Sequence, residues 1–573
     1  MSDKQIIYKL IDNKYKHNNI IITLNDLNNN NCNNYITSIY NALKYNYKKY
    51  NNNIITKLEI FDHIHINNEY KLTNDIYYYF LLNNNIKDIY ITNKLINNDG
   101  FLLLCSSLKN NKNIETLNIK CNDITDISPL NEIMFLKILN LSMNNINDIT
   151  PLKNILKNNI IKKIDLSYNK INNIDNLGEY LKYNTSLTVL NLSNNNINNI
   201  DNFSENLKYN NSLTVLNLYN NVIEHIDKLG ECLKYNTSIK TLNLSDNNIS
   251  DVKNFFENIK NNTSLKNLKF YCKKLNLKYL NSYLQNNHSL KKLYISNPHY
   301  NNGRLKDEYA SINLANWGRD GCFFSIKQQD DNGDDLNNYP YDLSDTFKVL
   351  QYNNSLKKLD LRHYVLNNTE YYNLCNMLKI NTSIINLHVT NTVNKTPEFN
   401  HSCNELINSL KYNNTIQKLT INLYKITETE LKNLSEVIKY NTSLKKLTIV
   451  KNCSPYNVWA VIYKSLEFNK NLEELNIFNN NTTINNIDRR YDLYLLCKSL
   501  YFNKSIKKIK IADYMIIDVD LLNELLKYNH RIKNIELYEY PIYGRNYNIN
   551  VVNNLKNELK KLLDFNKTIY NDF

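Results

Sequence analysis

The sequence predicts an α/β solenoid, with parallel strands on one side of the stack and helices on the other. Three observations carry this expectation. A frame of apolar-x-x-apolar-x-apolar-x-x-Asn-x-apolar runs through Ile161, Ile164, Leu166, Asn169 and Ile171. It returns at Leu187–Leu190–Leu192–Asn195–Ile197, Leu213–Leu216–Leu218–Asn221–Ile223 and Ile239–Leu242–Leu244–Asn247–Ile249, a fixed period of 26 residues. Within each unit the apolar spacing changes from two to three and four, and each unit closes on the same signature, as in Leu207-Lys208-Tyr209-Asn210.

Leu190 and Leu192 alternate, so they share one side of a short strand while Val189, Asn191 and Ser193 take the other. Ile200, Phe203 and Leu207 then form the apolar stripe of a helix. Asn210 suits a left-handed position at the helix end. Neither element can bury its apolar side alone, so the units must stack. Strands stack ~4.8 Å apart and helices ~8–10 Å apart, which curves the stack with its strands inside.

Along the chain, residues 1–50 hold one helix-like segment, ending Leu43-Lys44-Tyr45-Asn46, and read as an N-terminal cap. Residues 51–296 carry repeats, with strand centres at Leu58, Ile89, Leu117 and Leu139, then the regular block, then Leu268 and Leu293. Residues 297–352 read as an irregular insertion or degenerate repeats, with Trp317, four of the eight glycines and a degenerate strand at Cys322–Ile326. Residues 353–550 resume the array at Leu359, Leu387, Leu419, Leu447, Leu475, Ile509 and Ile535, and residues 551–573 read as a C-terminal cap helix. The total is roughly seventeen or eighteen strands. After Asn247 the Asn that follows each strand gives way to Lys273, Tyr364, Tyr514 and Tyr540, which predicts less regular turns.

Frame, period and strand–helix unit together resemble the leucine-rich-repeat family, in its ribonuclease-inhibitor-like subclass. The segments Ile124–Leu130 and Ile146–Leu152, each with a Ser/Thr-Pro-Leu, accompany a spacing of 22 residues from Leu117 to Leu139. They are similar to the shorter repeats of bacterial internalins. The resemblance implies a horseshoe with strands on the concave face and helices on the convex face. It implies that Asn122, Asn144, Asn169, Asn195, Asn221 and Asn247 form a ladder that satisfies backbone groups where the chain leaves each strand. It also implies a protein-interaction scaffold rather than an enzyme, an inference from family and not from a derived mechanism.

Composition is consistent with that reading. In 573 residues there are only 8 Gly and 7 Pro, which argues against Gly-rich phosphate loops. The net charge of +14 accompanies heavy use of Asn, Lys, Ile and Tyr, the codon bias of an AT-rich genome, and is weaker evidence for an anionic partner than its size. Met1–Lys16 lacks an apolar core, which predicts no signal peptide, and no apolar run approaches the ~18 residues of a membrane span. Ten scattered cysteines without a Cys-x-x-Cys pair predict reduced thiols and a cytoplasmic chain, within a host cell if the source is viral. Sequons such as Asn184-Thr185-Ser186 are then expected to stay unmodified.

Candidate sites were weighed against plainer accounts. The aromatic series Tyr183, Tyr209, Tyr235, Tyr412, Tyr440, Phe468 and Phe502 reads as a packing spine between helix ends rather than a base-stacking platform. His63 and His65 lack a third ligand, and Asp330–Asp335 fails as a calcium loop because Gln328 and Tyr339 stand where acids are required, so no metal and no cofactor are expected. Catalytic signatures are absent from the sequence.

The strand face remains. Its N-terminal half offers short polar residues: Thr116, Asn118, Asn140, Asn191, Ser193, Asn217, Asn243 and Ser245. The C-terminal half offers Lys269, Tyr271, Lys292, Tyr294, Lys358, Arg362, His388, Lys418, Lys446, Phe478, Lys508, Lys510 and Tyr538. The binding candidates are Tyr271, Lys292, Tyr294, Lys358, Arg362, His388, Phe478, Lys508 and Tyr538, with an acidic protein as the expected partner and no membrane. The alternatives are a regulator of GTPases, for which Arg362 is the one arginine within a strand motif, and nucleic-acid binding through the lysine-rich half.

Overall fold

A computed structural model describes residues 19–23, 57–61, 86–92, 96–270, 276–295, 324–327, 342–363, 366, 368–390, 404–423, 427–451, 459–479, 486–512 and 519–538. The chain divides into two compact units, residues 1–279 and 280–573.

In the first unit ten strands, β1 (Asn19–Thr23) to β10 (Asn267–Phe270), are each parallel to the next. In register, β7 (Val189–Asn191) sets Leu190 beside Leu216 of β8 (Val215–Asn217), which sits beside Leu242 of β9 (Thr241–Leu244). The 26-residue frame is thus the pairing register of the sheet. β1 lies inside the segment read as a cap, and sequence reading began the strand series only at Leu58. Asn19-Ile20-Ile21-Ile22-Thr23 has an unbroken apolar run and no Asn frame, so periodicity did not reveal it.

Leu187, Leu190, Leu192, Ile197, Ile200, Phe203 and Leu207 of one repeat are all fully buried. Each contributes roughly 1.5–3 kcal/mol by leaving water. The helices are short: α1 (Asn98–Leu108), α2 (Leu152–Lys157), α3 (Asp175–Lys182), α4 (Asp201–Leu207), α5 (Asp227–Tyr235) and α6 (Lys253–Ile259). Isolated helices of this length do not persist in water, so stacking holds them. Asn173 and Asn199 side chains accept the N–H of Asp175 and Asp201 and so start α3 and α4. The aspartates then favour the positive end of the helix dipole. In the shorter repeats a 3-10 turn (Ser128–Glu132) and the six-residue α2 follow Ser128-Pro129 and Thr150-Pro151. Proline suits a helix start because its fixed φ and missing N–H cost nothing there.

Two pairs of consecutive helices, α3 with α4 and α5 with α6, meet without space between them. A Cβ on Gly178 of α3 would lie 2.7 Å from Phe203 Cα of α4, and one on Gly230 of α5 would lie 2.9 Å from Phe255 Cα of α6. The backbones approach this closely because glycine has no side chain.

The second unit stacks nine parallel strands, β11 (Lys292–Ile295) to β19 (Asn534–Tyr538). β12 (Phe324–Lys327) pairs with both β11 and β13 (Lys358–His363) and falls on the stretch considered as a degenerate strand. From β13 onward the strands run five or six residues, against three or four for β3 (Asp88–Ile91) to β10. In β7 and β8, Asn191 and Asn217 bend the chain by accepting the N–H two residues on. In the second unit His388, Thr420, Thr448 and Lys510 occupy that place, and Asn476, in the same row, donates to Thr448 Oγ1 instead, so the strand continues. The Leu43–Asn46 segment, the 551–573 cap, Trp317, His63, His65, Asp330–Asp335 and the turn residues Lys273, Tyr364, Tyr514 and Tyr540 lie outside the described residues.

Most positive backbone angles do not fall where the sequence placed them. Asn159, just past the end of α2, is left-handed with φ 55°, but the helix-ending Asn236 and Asn441 are extended, with φ of -72° and -68°. The other left-handed residues are Cys121, Met143, Tyr168, Asn194, Asn220 and Asp246, each just before a ladder asparagine. Asn194 is half-buried there and accepts from Asn220 Nδ2 at 2.6 Å. A non-glycine side chain pays roughly 1–2 kcal/mol in this region, and asparagine tolerates it best. Met143 (φ 57°) is exposed and so has little packing to lose. Met143→Asn is therefore expected to raise the urea midpoint by the equivalent of about 1 kcal/mol, with Met134→Asn, an exposed methionine outside the left-handed set, as the unchanged control.

Candidate interaction face

Each asparagine after a strand bonds to two repeats at once. Asn195 Oδ1 accepts the N–H of Ile171 at 3.0 Å, and its Nδ2 donates to Leu166 O at 3.0 Å, Leu192 O at 3.1 Å and Ser193 O at 3.2 Å. Asn122, Asn144, Asn169, Asn221 and Asn247 repeat the pattern, and all six are buried. A second asparagine series, at the helix ends, spans both units. Asn210 Nδ2 donates to Leu181 O at 2.7 Å, while its Oδ1 accepts the N–H groups of Ser212 and Leu213. Asn184, Asn236, Asn262, Asn381, Asn413, Asn469 and Asn503 do the same to the preceding helix. Sequence reading took this asparagine for a helix terminator. The recurring Asn-x-Ser/Thr was the available signal, because the hydroxyl two residues on also bonds backward, as Ser186 Oγ does to Ile161 O at 2.7 Å.

On the strand face of the first unit Asn191 and Asn217 are tied to neighbouring side chains. Asn217 Nδ2 donates to Asn191 Oδ1 at 2.8 Å, and Asn191 Nδ2 donates to Asp165 Oδ1 at 3.0 Å. Asn191, Ser193, Asn243 and Ser245 are buried rather than solvated. One residue breaks this row: Tyr219 stands where Ser142, Ser167, Ser193 and Ser245 stand in neighbouring repeats. Burial, then the adjacent Asp246 carboxylate, holds its phenol well above the usual range. A tyrosine in a serine row was the sequence signal, and it was missed.

In the second unit, register brings Lys358, Asn386, Lys418, Lys446, Glu474 and Lys508 into one row across the strands. The middle row joins Tyr294 to Ser325, Asp360 and His388. Arg362 lies two residues beyond Asp360 on β13. Phe478 is opposite Val450 and Tyr538 is opposite Ala512, and the Ile477–Ile511 pair links the two sets. Phe478 and Tyr538 therefore share a row, whereas Tyr294 belongs to another. Lys292 leads β11, and Tyr271 lies outside the described residues. The lysines are less cationic as a group than their number suggests. Lys446 Nζ is 2.6 Å from Glu474, Lys508 Nζ is 2.6 Å from Glu536, and Lys510 Nζ is 3.8 Å from Glu536. The hydrogen bond from Lys508 holds the Glu536 carboxyl below the usual range and raises the Lys508 ammonium.

The sequence matches the family model described as "Leucine Rich repeat" at residues 110–127, 133–149, 183–200 and 235–252. Those segments carry the strand, ladder and helix-end positions just described. The chain is a leucine-rich-repeat protein. No curated protein matches its sequence. Among solved structures it is similar to internalin InlF of Listeria monocytogenes str. 4b F2365, at 16% identity over 78% of this chain and 88% of that one, TM-score 0.29. Internalin C2 of the same organism aligns at 19% identity over 38% and 74%, TM-score 0.24. The chain in the TLR13-ssRNA13 complex aligns at 18% identity over 85% of this chain and 60% of its own length, TM-score 0.47.

Two further features of this leucine-rich-repeat protein bear on its chemistry. Burial pushes the Cys232 thiol up to about 12 and raises that of Cys105, so neither is a nucleophile at neutral pH. The aromatic series is not a buried spine. Tyr183, Tyr209, Tyr235, Tyr412, Tyr440, Phe468 and Phe502 are all exposed, because the following asparagine turns inward to bond and leaves the ring at the edge of the stack. No helix among the described residues is long and apolar enough to cross a membrane.

The buried asparagines lead to a further prediction. Asn184, Asn236, Asn262, Asn381 and Asn441 each head an Asn-x-Ser sequon, and each uses its Nδ2, the atom a glycan would take, to bond to the preceding repeat. Expression through a glycosylating secretory route is expected to give no folded chain carrying a glycan at Asn236. Peptide mass mapping of the protease-resistant fraction checks this, and a glycan found there would sink it.

Proposed function

We propose that this leucine-rich-repeat protein is a non-catalytic cytoplasmic scaffold whose protein partner docks on the strand face of the second unit. The carrying observation is the contrast between the two faces. In the first unit Asn191 and Asn243 are buried, and Asn191 is bonded to both Asn217 and Asp165, so a partner gains little from them. In the second unit Tyr294, Arg362, Phe478 and Tyr538 take strand positions that alternate with the apolar row of Leu293, Leu361, Ile477 and Ile535, and aromatic and Arg anchors carry most interface energy, ~2 kcal/mol or more each. Lys292, Lys358 and His388 lie on the same strand series and favour an acidic partner, while Lys508, also among the candidates, is paired with Glu536. The carboxylates Glu474 and Glu536 offset part of that charge and weigh against nucleic acid on this face.

The test begins with affinity capture on the intact chain. The triple variant Tyr294→Ala/Arg362→Ala/Phe478→Ala is expected to speed dissociation of the captured protein by about a hundredfold. Lys292→Gln with Lys358→Gln is expected chiefly to slow association, with an effect that fades as salt rises. A partner indifferent to both sets, but released by changes at Asn191, Asn217 and Asn243, would move the docking face to the first unit.

A further inference from the structure

The geometry points to a second binding surface: the column of alternating exposed tyrosines and lysines from Tyr183 to Lys234, at the C-terminal ends of α3 to α5, fits a single-stranded nucleic acid. Lys182 Nζ lies 5.4 Å from the Tyr183 ring centroid and 4.9 Å from that of Tyr209. Lys208 Nζ lies 5.3 Å from Tyr209 and 5.2 Å from Tyr235, and Lys234 Nζ lies 5.4 Å from Tyr235. The alternation is therefore unbroken across three repeats. The rings remain 74%, 58% and 59% exposed. Lys182, Lys208 and Lys234 make no ion pair among the described residues, in contrast to the neutralised Lys446 and Lys508 of the strand face.

The column is also held in place. Asn184, Asn210 and Asn236, each next to a tyrosine, are anchored by their side chains to the preceding helix end. A ligand that meets it finds rings and charges already ordered at one of each per repeat. An acidic peptide would use the ammonium groups and leave the rings idle. A single strand supplies both complements, phosphates for the ammonium groups and bases for the rings, in regular succession and without a pocket. A duplex keeps its base faces stacked inside and offers only phosphate. The surface lies on the helix-end edge and is separate from the strand face proposed for a protein partner.

The test uses the full-length chain and a fluorescein-labelled oligothymidylate in anisotropy titrations across salt concentrations. Replacing Tyr183, Tyr209 and Tyr235 with Leu is expected to weaken binding by about tenfold per ring that stacks a base, with Phe at the same positions restoring it. Replacing Lys182, Lys208 and Lys234 with Gln is expected to lower the slope of log affinity against log salt by about 2. Circular dichroism of each variant confirms that the stack persists. The proposal is overturned if the oligonucleotide does not bind at low salt, or if the Leu variant binds as the parent does. Equal competition by a duplex or by polyphosphate would also overturn it, since that marks a surface that reads charge alone.

Discussion

Replacing Asn195 with Ala is expected to cost about 2–3 kcal/mol, against about 1 kcal/mol for Asn194→Ala. The larger loss follows from what stays behind. The buried Ile171 N–H loses its acceptor, at ~1–3 kcal/mol for a group left unsatisfied, while the Leu166 and Leu192 carbonyls each lose one donor and keep another, from Asn169 and Asn221. Asn194→Ala instead places a Cβ without a compensating polar group in the left-handed region, where its φ is 55°. Asn194→Gly should then be near neutral, which separates backbone strain from lost bonding. Urea denaturation measures the difference, and hydrogen exchange at Ile171 reports it locally, since an array need not unfold in one step. Equal midpoints for the two alanine variants would remove the ladder argument.

Gly178→Ala is expected to destabilise by roughly 2 kcal/mol or more, although alanine is the better helix former by about 1 kcal/mol. The added carbon would sit 2.7 Å from Phe203 Cα, a backbone atom that cannot rotate away, so α3 and α4 must separate. Gly230→Ala should behave alike against Phe255. Ser204 stands one repeat after Gly178, fully buried, and its Oγ has no hydrogen-bond partner among the described residues. Ser204→Ala should therefore be neutral or stabilising by up to about 1 kcal/mol. Calorimetry on the three variants checks the ordering, and a stabilised Gly178→Ala would show that the helices can move apart freely.

The strand series, its parallel register and the buried helix stripe were legible because each leaves a periodic apolar trace, as Leu190, Leu216 and Leu242 do. What escaped was the part played by polar atoms. The same residue type serves at Asn191, Asn195 and Asn210, where it bends a strand, bridges two repeats at the strand exit and bridges two at the helix end. Composition cannot separate these roles, and the abundance of Asn throughout the chain hides them further. The exposure of Tyr209 followed from the inward turn of Asn210, a geometric fact with no counterpart in spacing. Pairing across strands, as between Lys508 and Glu536, was likewise invisible until the register placed residues distant in sequence side by side.

The close approach within the helix pairs α3–α4 and α5–α6 says something about how such a chain can lengthen. Leu177-Gly178 faces a helix bearing Phe203-Ser204, and Leu229-Gly230 faces one bearing Phe255-Phe256, so small and large alternate along the stack. The heritable module is then the couple of 52 residues from Gly178 to Gly230 rather than the single repeat. Excising 26 residues would remove one strand with its asparagines and leave the frame of the remaining repeats intact, yet would bring glycine opposite leucine and open a void where Phe203 stood. Loss or gain of a whole couple restores the fit, so viable length variants of this array should differ by even numbers of repeats.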